Sequence, residues 1–279
     1  MTPPPTSAED KPPRSSRLAA LWKKSAGVFH EVQDALPPPR SAGVWLHLLR
    51  VPNLLTVPGD VLAGFLLAPA ADAAGWGRLA FAAAAGLFFY SAGLITNDLF
   101  DYKVDLRERP WRPLPSGKLS RETAAAAALV AAWIAVFLGA FASALFVALP
   151  LLACIFLYDA GLKHHRVAGP LLMGACRAGN LLLGAAAAED RLAVAVAPAS
   201  AAVLLGLYIA AVTHLARGEA RPGARFTPAR IGRLLGLLIP LQALLGLAAV
   251  HRFPANLLGL LLLPLLPLHR RLARRFPPS

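Results

Sequence analysis

The stretch "LAFAAAAGLFFYSAGLITNDLFDYKVDLRERPWRPLPSG", residues 79–117, joins two opposite kinds of chemistry. Residues 79–96 carry no charge, and an asparagine, aspartates, arginines and prolines follow them directly. An apolar run of this length can cross the hydrocarbon core of a bilayer as a helix. The stretch therefore predicts a membrane-spanning helix that ends in a charged segment at the membrane surface.

The composition of the whole chain extends this interpretation. Of its 279 residues, 57% are hydrophobic and only 15% are charged, and the mean hydropathy is +0.56. Soluble domains carry about 25% charged residues. We therefore predict an all-α, polytopic transmembrane bundle of about eight helices. The apolar segments are 44–68, 79–97, 122–143, 145–159, 168–188, 192–214, 233–250 and 255–269.

The net charge of +13 would suggest a nucleic-acid partner in a soluble protein, but here it follows the predicted loops. If the N-terminus is inside, 24 of the 28 Lys and Arg residues lie in inner segments and three lie in outer loops. Positive residues collect on the cytoplasmic side of membrane proteins. We therefore expect a multi-pass protein of the cell (inner) membrane, with both termini and the active-site loops cytoplasmic and no nucleic-acid partner.

The first 42 residues form a proline-rich and basic segment that precedes the predicted membrane domain, residues 43–279. Within it, "RLAALWKKSAGVFHEVQDAL", residues 17–36, places apolar side chains near one helical face and charges on the rest. This pattern is typical of an amphipathic helix on the membrane surface. A solvated helix in a tail is the alternative.

Four oxygen-bearing side chains fall within an arc of about 100° on one helix face of the charged segment. They are Asn97, Asp98, Asp101 and Asp105. Carboxylates in this arrangement repel one another unless a cation neutralises them, and hard oxygen ligands suit Mg²⁺ that bridges to a diphosphate. The alternative is a solvated helix end whose acids pair with the arginines at 107, 109 and 112.

The stretch "NDLFDYKVDLRERPWRPLPSGKLS" resembles the first aspartate-rich motif of the UbiA superfamily of intramembrane prenyltransferases, N-D-x-x-D-x-x-x-D, and the R-P-x-R-P-L-x-S-G run that follows it. The resemblance covers the chain from about residue 45 onward. It implies a helix bundle around a lipid-accessible chamber capped by cytosolic loops. It also implies that the four residues above hold Mg²⁺ and the diphosphate of a polyprenyl donor, that the three aspartates are catalytic, and that Arg109 and Arg112 neutralise the leaving group.

Other polar residues match substrate-binding patterns of the same family. "LRVPNLLTVPGDVLAG" is similar to its R-P-x-N-like start, and later segments are similar to its Y-x-x-x-L-K loop and its R-G-x-N-like pattern. The residues that this resemblance implies are Asn53, Tyr158, Lys163, Arg177 and Asn180. An arginine in mid-helix, such as Arg177, needs an anionic partner. Either a diphosphate or Asp60 would serve.

The chain departs from the family in the loop "VTHLARGEARPGARFTPARIG", residues 212–232. The second family motif, D-x-x-x-D, is missing there, and the loop is similar to that of an EboC-like branch. Glu219 could bind a metal, and Arg217 could bind phosphate directly. We expect both residues to contact the substrate in place of the missing aspartates.

The resemblance implies a membrane-embedded, Mg²⁺-dependent prenyltransferase. Such an enzyme moves a polyprenyl group from its diphosphate to an aromatic or other electron-rich acceptor, so its partners are the donor, an aromatic or lipid acceptor and the bilayer. The alternative is a non-catalytic member that binds or transports a prenylated or polycyclic lipid. The intact first motif favours the enzyme, whereas the altered second loop favours the alternative.

Overall fold

The computed structural model describes residues 41–69, 73–189, 195–217 and 226–273, and within these ranges it contains helices and no strand. The predicted all-α class is therefore confirmed, while the amphipathic helix predicted over 17–36 lies outside the described residues. The α-helices are α1 Ser41–Leu48, α2 Val51–Leu54, α3 Val57–Leu67, α4 Ala73–Phe100, α5 Tyr102–Glu108, α6 Arg121–Phe141, α7 Leu145–Asp159, α8 Ala168–Glu189, α9 Val196–Ala216, α10 Pro228–Gly236, α11 Leu238–Leu247 and α12 Leu265–Ala273.

Among the described residues, five helical stretches are long and apolar enough to cross a membrane. They are α4, α6, α8, α9 and the consecutive pair α10–α11. These stretches coincide with the predicted spans at 79–97, 122–143, 168–188, 192–214 and 233–250. The predicted spans 44–68 and 145–159 correspond to shorter apolar helices, Val51–Leu67 and Leu145–Asp159.

The predicted span at 255–269 is not one continuous α-helix. Residues Ala255–Leu262 form a 3₁₀ helix, a turn follows at 263–264, and α12 begins at Leu265. Pro264 lies in that turn, and proline has no backbone N–H to continue a helix. Proline also marks the breaks in the first span, because Pro52 and Pro58 lie in the first turns of α2 and α3. Proline is well tolerated at that position.

Helix α4 carries the aspartate-rich motif out of the membrane. Its 28 residues make it about 42 Å long at 1.5 Å per residue, whereas a hydrocarbon core is about 30 Å thick. The helix ends at Phe100, and α5 begins at Tyr102. The backbone N–H of Asp105 still donates to the carbonyl of Asp101, 2.8 Å away. The whole motif therefore follows an almost unbroken helical path, as its spacing predicted.

Helix α8 lies at the centre of the bundle and packs against α3, α4, α7 and α9. Its contact with α3 depends on two glycines. A Cβ at Gly184 would overlap the carbonyl oxygen of Val61, and a Cβ at Gly64 would overlap the carbonyl oxygen of Leu181. Small residues allow the backbones of membrane helices to approach closely. These glycines bring α3 and α8, which both carry polar site residues, into direct contact.

The outer surface of the bundle is apolar. On α6, large hydrophobic side chains spaced four residues apart are all more than half exposed. They are Leu129, Trp133, Phe137 and Phe141. On α9, Val203 and Leu207 are similarly exposed. A stripe of this kind faces lipid in a membrane protein, so the bundle is a multi-pass integral membrane protein.

Candidate active site

A cavity of about 440 Å³ lies inside the bundle and is lined by residues from α2, α3, α4, α7, α8 and α9. Its lining residues run from Gly86 of α4 to Asp101, directly after that helix, which is about 22 Å along a helix axis. Apolar or small residues line its membrane part, including Gly86, Phe89, Gly93, Leu151 and Ile155. Charged and amide residues line it in the last turn of α4 and beyond, including Asn97, Asp101, Arg109, Arg112 and Lys163.

Lys163 connects the loop after α7 to the aspartate-rich motif. Its Nζ lies 2.7 Å from Asp101 Oδ1 and donates to Asn97 Oδ1 at 3.1 Å. Asn97 Nδ2 also donates to Asp101 Oδ2 at 3.3 Å. All three side chains line the cavity. This wall therefore presents an ammonium group and carboxylate oxygens to any molecule that enters.

The other two aspartates of the motif are paired with arginines. Arg112 Nη1 lies 2.8 Å from Asp105 Oδ2 and 3.4 Å from Asp98 Oδ1. Arg50 Nη2 lies 3.2 Å from Asp98 Oδ1, and Arg109 Nη1 lies 3.7 Å from Asp105 Oδ1. The structure thus divides the predicted four-residue metal set into a cavity-lining pair, Asn97 and Asp101, and an arginine-bound pair.

The arginine-bound pair lies in a partly dehydrated environment. Asp105 is 2% exposed, and burial raises the pKa of its carboxyl group, an effect that the Arg112 guanidinium opposes. Asp98 lies close enough to raise the same pKa further. Two neighbouring carboxylates therefore share the Arg112 guanidinium, and its positive charge offsets the repulsion between them.

Arg50 reaches Asp98 from a strained backbone position. Its φ of 44° and ψ of 58° lie in the left-handed region, immediately before α2. A non-glycine residue in this region costs of order 1–3 kcal/mol and persists only where its surroundings enforce it. The same residue lines the cavity. The turn between α1 and α2 thus aims a guanidinium at the mouth of the site.

A second, deeper polar cluster surrounds Asp60, which is fully buried. Arg177 Nη1 lies 3.0 Å from Asp60 Oδ2, and Asn180 Nδ2 donates to the same oxygen at 3.0 Å. Gln242 Nε2 donates to Asp60 Oδ1, and Arg177 Nη2 donates to Thr56 Oγ1. The anionic partner of Arg177 is therefore Asp60, one of the two partners expected from the sequence.

The predicted substrate-binding residues of α2, α7 and α8 all line the cavity: Asn53, Tyr158, Arg177 and Asn180. Arg177 also lies over the ring of Tyr90, 5.9 Å from its centroid, and Tyr90 is itself a lining residue. These groups place polar atoms beside the apolar part of the cavity. They can orient a bound molecule there without adding an unpaired charge.

Arg217, which was expected from the sequence to contact the substrate, contacts the loop that carries Lys163. Its Nη2 donates to the backbone carbonyl of Lys163 and, at 2.8 Å, to that of His165. The side chain thus holds the loop that carries Lys163. Glu219, the other residue expected to replace the missing aspartates, lies outside the described residues.

Asp159 was not among the residues singled out from the sequence. It is the last residue of α7, it is 3% exposed, and it lines the cavity. Gly161, at φ 148°, then turns the chain toward Lys163. A signal was present in the sequence, because Asp159 ends an apolar run directly before a basic loop, as Asp98 does. Gln242, a lone polar residue within the apolar run of α11, was missed in the same way.

The donor set fits Mg²⁺ that arrives with a phosphate group. Within the described residues, no three His, Cys, Asp or Glu side chains converge on one point. Mg²⁺ commonly binds through one or two carboxylates while phosphates and waters complete its shell. Asp101 and the Oδ1 of Asn97 offer such oxygens at the cavity wall.

These features together are those of a polytopic helical membrane protein whose internal chamber is mainly apolar, except for the polar cluster around Arg177, and carries acids and bases at one end. The model of the UbiA prenyltransferase family matches residues 60–276 of this chain. The chain belongs to the UbiA prenyltransferase family, as its motifs predicted.

Curated relatives share part of their length with this chain. A digeranylgeranylglyceryl phosphate synthase of Methanobrevibacter smithii is 35% identical over 80 residues, which cover 29% of this chain and 27% of the relative. An enzyme of the same name from Ignicoccus hospitalis is 30% identical over 148 residues, 52% of this chain and 48% of the relative. The chain therefore matches about half or less of the length of these relatives.

Solved structures share the fold at low sequence identity. A UbiA homolog from Archaeoglobus fulgidus, bound to GPP and Mg²⁺, has a TM-score of 0.53 and 17% identity, over 83% of this chain and 87% of the homolog. An apo UbiA homolog from Aeropyrum pernix K1 has a TM-score of 0.52 and 18% identity, over 81% of this chain and 94% of the homolog. These similarities establish the architecture of the bundle.

Proposed function

We propose that the protein is a membrane-embedded, Mg²⁺-dependent prenyltransferase that moves a polyprenyl group from its diphosphate to an electron-rich acceptor. The observation that carries this proposal is the cavity. One part of its wall is apolar. The other part, near the C-terminal end of α4, carries Lys163, Arg112 and Asp101. A molecule with an apolar isoprenoid tail and an anionic head matches these two parts of the cavity.

The head of the donor would lie at the charged end of the cavity. Lys163, Arg109 and Arg112 can donate charge-assisted hydrogen bonds to diphosphate oxygens, and each already lines the cavity. Asp101 and Asn97 would hold Mg²⁺, which when bound neutralises charge on the diphosphate and makes it a better leaving group. The basic residues then stabilise the charge that develops as the C1–O bond breaks.

The tail and the reacting carbon would lie in the apolar part. Breaking the C1–O bond leaves positive charge on an allylic carbon, which water would quench. Phe89, Leu151 and Ile155 give this region an apolar wall, and a bound isoprenoid tail would displace water from it. The aromatic face of Tyr90, another lining residue, can stabilise a nearby cation. The acceptor then forms a new bond to C1 and loses a proton.

The acceptor class is part of the proposal. The motif resemblance supports an aromatic ring as the nucleophile. The name shared by the curated relatives supports a hydroxyl group on a phosphate-bearing glyceryl lipid. Both are electron-rich nucleophiles. The charge distribution supports a site on the cytoplasmic side, where 24 of the 28 Lys and Arg residues are predicted to lie.

A second candidate function is non-catalytic binding or transport of a prenylated or polycyclic lipid in the same cavity. One observation favours it: the loop 212–232 holds no aspartate, and its Arg217 bonds loop carbonyls. A lipid carrier would still bind the donor, but it would leave the C1–O bond intact.

Pyrophosphate release separates the two functions. Purified protein in nanodiscs is given Mg²⁺ and prenyl diphosphates of several chain lengths, with an aromatic acceptor pool or with glyceryl phosphate lipids. We expect acceptor-dependent pyrophosphate release that is lost in Asp101→Asn. Glu122→Gln, which changes an exposed acid at the start of α6, serves as the matched control and keeps the wild-type rate. Donor binding without pyrophosphate release under every condition would establish the carrier instead.

A further inference from the structure

Asp159 carries an unusual combination of burial and missing partners. Its side chain is 3% exposed and lines the cavity, and its Oδ2 has no hydrogen-bond partner among the described residues. A buried carboxylate oxygen without a partner is costly. In a native structure such an oxygen needs a specific explanation, and one explanation is an ion that binds to it.

The cations of the site are already distributed among the other acids. Asp98 pairs with Arg50 and Arg112, Asp105 with Arg112, and Asp101 with Lys163. Lys163 and Arg50 lie close enough to act on the charge of Asp159, but no ion pair within the described residues includes it. In the part of the chain that the structure describes, two acids line the cavity, Asp101 and Asp159. Of these two, only Asp159 forms no ion pair within the described residues.

We infer that Asp159 binds, together with Asp101, the divalent cation that the donor's diphosphate carries. Both carboxylates line the same cavity, and their charges act on each other. A cation between them removes that repulsion and gives the buried Oδ2 a partner. This inference rests on the proposed function. It assigns to the end of α7 a carboxylate ligand of the kind that the aspartates missing from the loop 212–232 would supply.

If Asp159 only positions Lys163, removal of its carboxylate has a different expected effect on binding. If the carboxylate only orients Lys163, its removal weakens the binding of any anion that Lys163 contacts, with or without metal. If it is a metal ligand, its removal weakens metal binding only. The loss of one negative charge from the cavity then leaves metal-free pyrophosphate binding unchanged or makes it tighter.

The test uses the full chain in nanodiscs, with Mn²⁺ and inorganic pyrophosphate as probes. Calorimetry measures pyrophosphate binding in EDTA, and electron paramagnetic resonance measures Mn²⁺ binding at saturating pyrophosphate. For Asp159→Asn we expect Mn²⁺ affinity to fall about tenfold to a hundredfold, with metal-free pyrophosphate binding retained. Glu122→Gln is the control for the loss of an acid outside the cavity. Asp159→Ser repeats the measurement if the asparagine variant does not fold.

Two results would overturn the inference. Wild-type Mn²⁺ affinity in Asp159→Asn would show that the carboxylate is not a ligand. A parallel loss of Mn²⁺ and metal-free pyrophosphate binding would assign it to the positioning of Lys163. Asp101→Asn distinguishes these failures from a failure of the proposed function. If wild type binds no Mn²⁺ with pyrophosphate and Asp101→Asn changes nothing, both the inference and the metal-dependent function are wrong.

Discussion

Lys163 Nζ lies 2.7 Å from Asp101 Oδ1, and this ion pair links the loop after α7 to the C-terminal end of α4. The lysine side chain is 8% exposed and the aspartate side chain 21% exposed. Arg217 holds the same loop from the end of α9 through the backbone carbonyls of Lys163 and His165. The loop that carries Lys163 is thus held from the ends of α4 and α9 as well as by its own connection to α7.

Lys163→Gln should weaken the binding of a prenyl diphosphate about tenfold to a hundredfold, because a charge-assisted contact to a partly buried phosphate contributes roughly 1.5–3 kcal/mol. Calorimetry on the protein in nanodiscs measures the affinity. Lys118→Gln is the matched control, since it removes an exposed lysine from the loop before α6 and should leave the affinity unchanged. Equal affinities for wild type and Lys163→Gln would remove Lys163 from the donor site.

The Asp60–Arg177 pair should stabilise the bundle only while both partners are present. Arg177→Met leaves Asp60 fully buried without its cation, and breaking such a pair costs about 3–5 kcal/mol. The double variant Asp60→Asn/Arg177→Met should recover part of that loss, because no buried charge remains. Thermal unfolding in detergent compares the variants. A double variant less stable than Arg177→Met would show that this pair is not the source of the effect.

The bundle and the first motif could be predicted from sequence because both depend on local patterns. Apolar runs mark helices, and Asn97, Asp98 and Asp101 share a face through helical periodicity alone. The interruption at Pro264 was not predicted, because 255–269 was expected to be one span. Proline alone does not mark such a break in this chain, since Pro150 lies inside α7.

Side-chain contacts between segments that are distant in the sequence could not be predicted in this way. Pairing of the acids with the arginines at 107, 109 and 112 was one of two alternatives that the sequence left open. Spacing alone does not show that Arg112 contacts both Asp98 and Asp105, or that Arg217 donates to a loop carbonyl. It also left open whether Asp60 or a diphosphate partners Arg177, which depends on the contact between α3 and α8. The importance of Asp159 comes from its burial and its unpaired oxygen, and both are properties of the folded bundle.

The contact between α3 and α8 should tolerate no side chain at Gly184. A Cβ there overlaps the carbonyl oxygen of Val61, so Gly184→Val must push the two helices apart. We expect loss of the folded, monodisperse protein, measured by size-exclusion chromatography and thermal unfolding. Gly77→Ala is the control, because no atom lies within 4 Å of its Cβ position. It should leave stability unchanged or raise it slightly through helix propensity. A wild-type unfolding temperature for Gly184→Val would contradict the close helix contact.

The charged end of the cavity should face the cytoplasm. We expect Lys118→Cys, in a variant without Cys154 and Cys176, to resist a membrane-impermeant maleimide added to intact cells. Gly77→Cys, at the opposite end of α4, should react. The physical reason is the concentration of Lys and Arg in the predicted inner segments. Reaction at position 118 but not at 77 would invert the topology and place the site on the outer side.

The most direct test of the central claim is an experimental structure of the protein in nanodiscs with Mn²⁺ and a non-cleavable prenyl thiolodiphosphate. We expect a metal about 2 Å from a carboxylate oxygen of Asp101. We also expect diphosphate oxygens to contact Lys163 and Arg112, and the isoprenoid tail to extend along α4 toward Gly86. A diphosphate bound elsewhere, or one held at Lys163 with no metal at Asp101, would contradict the proposed function.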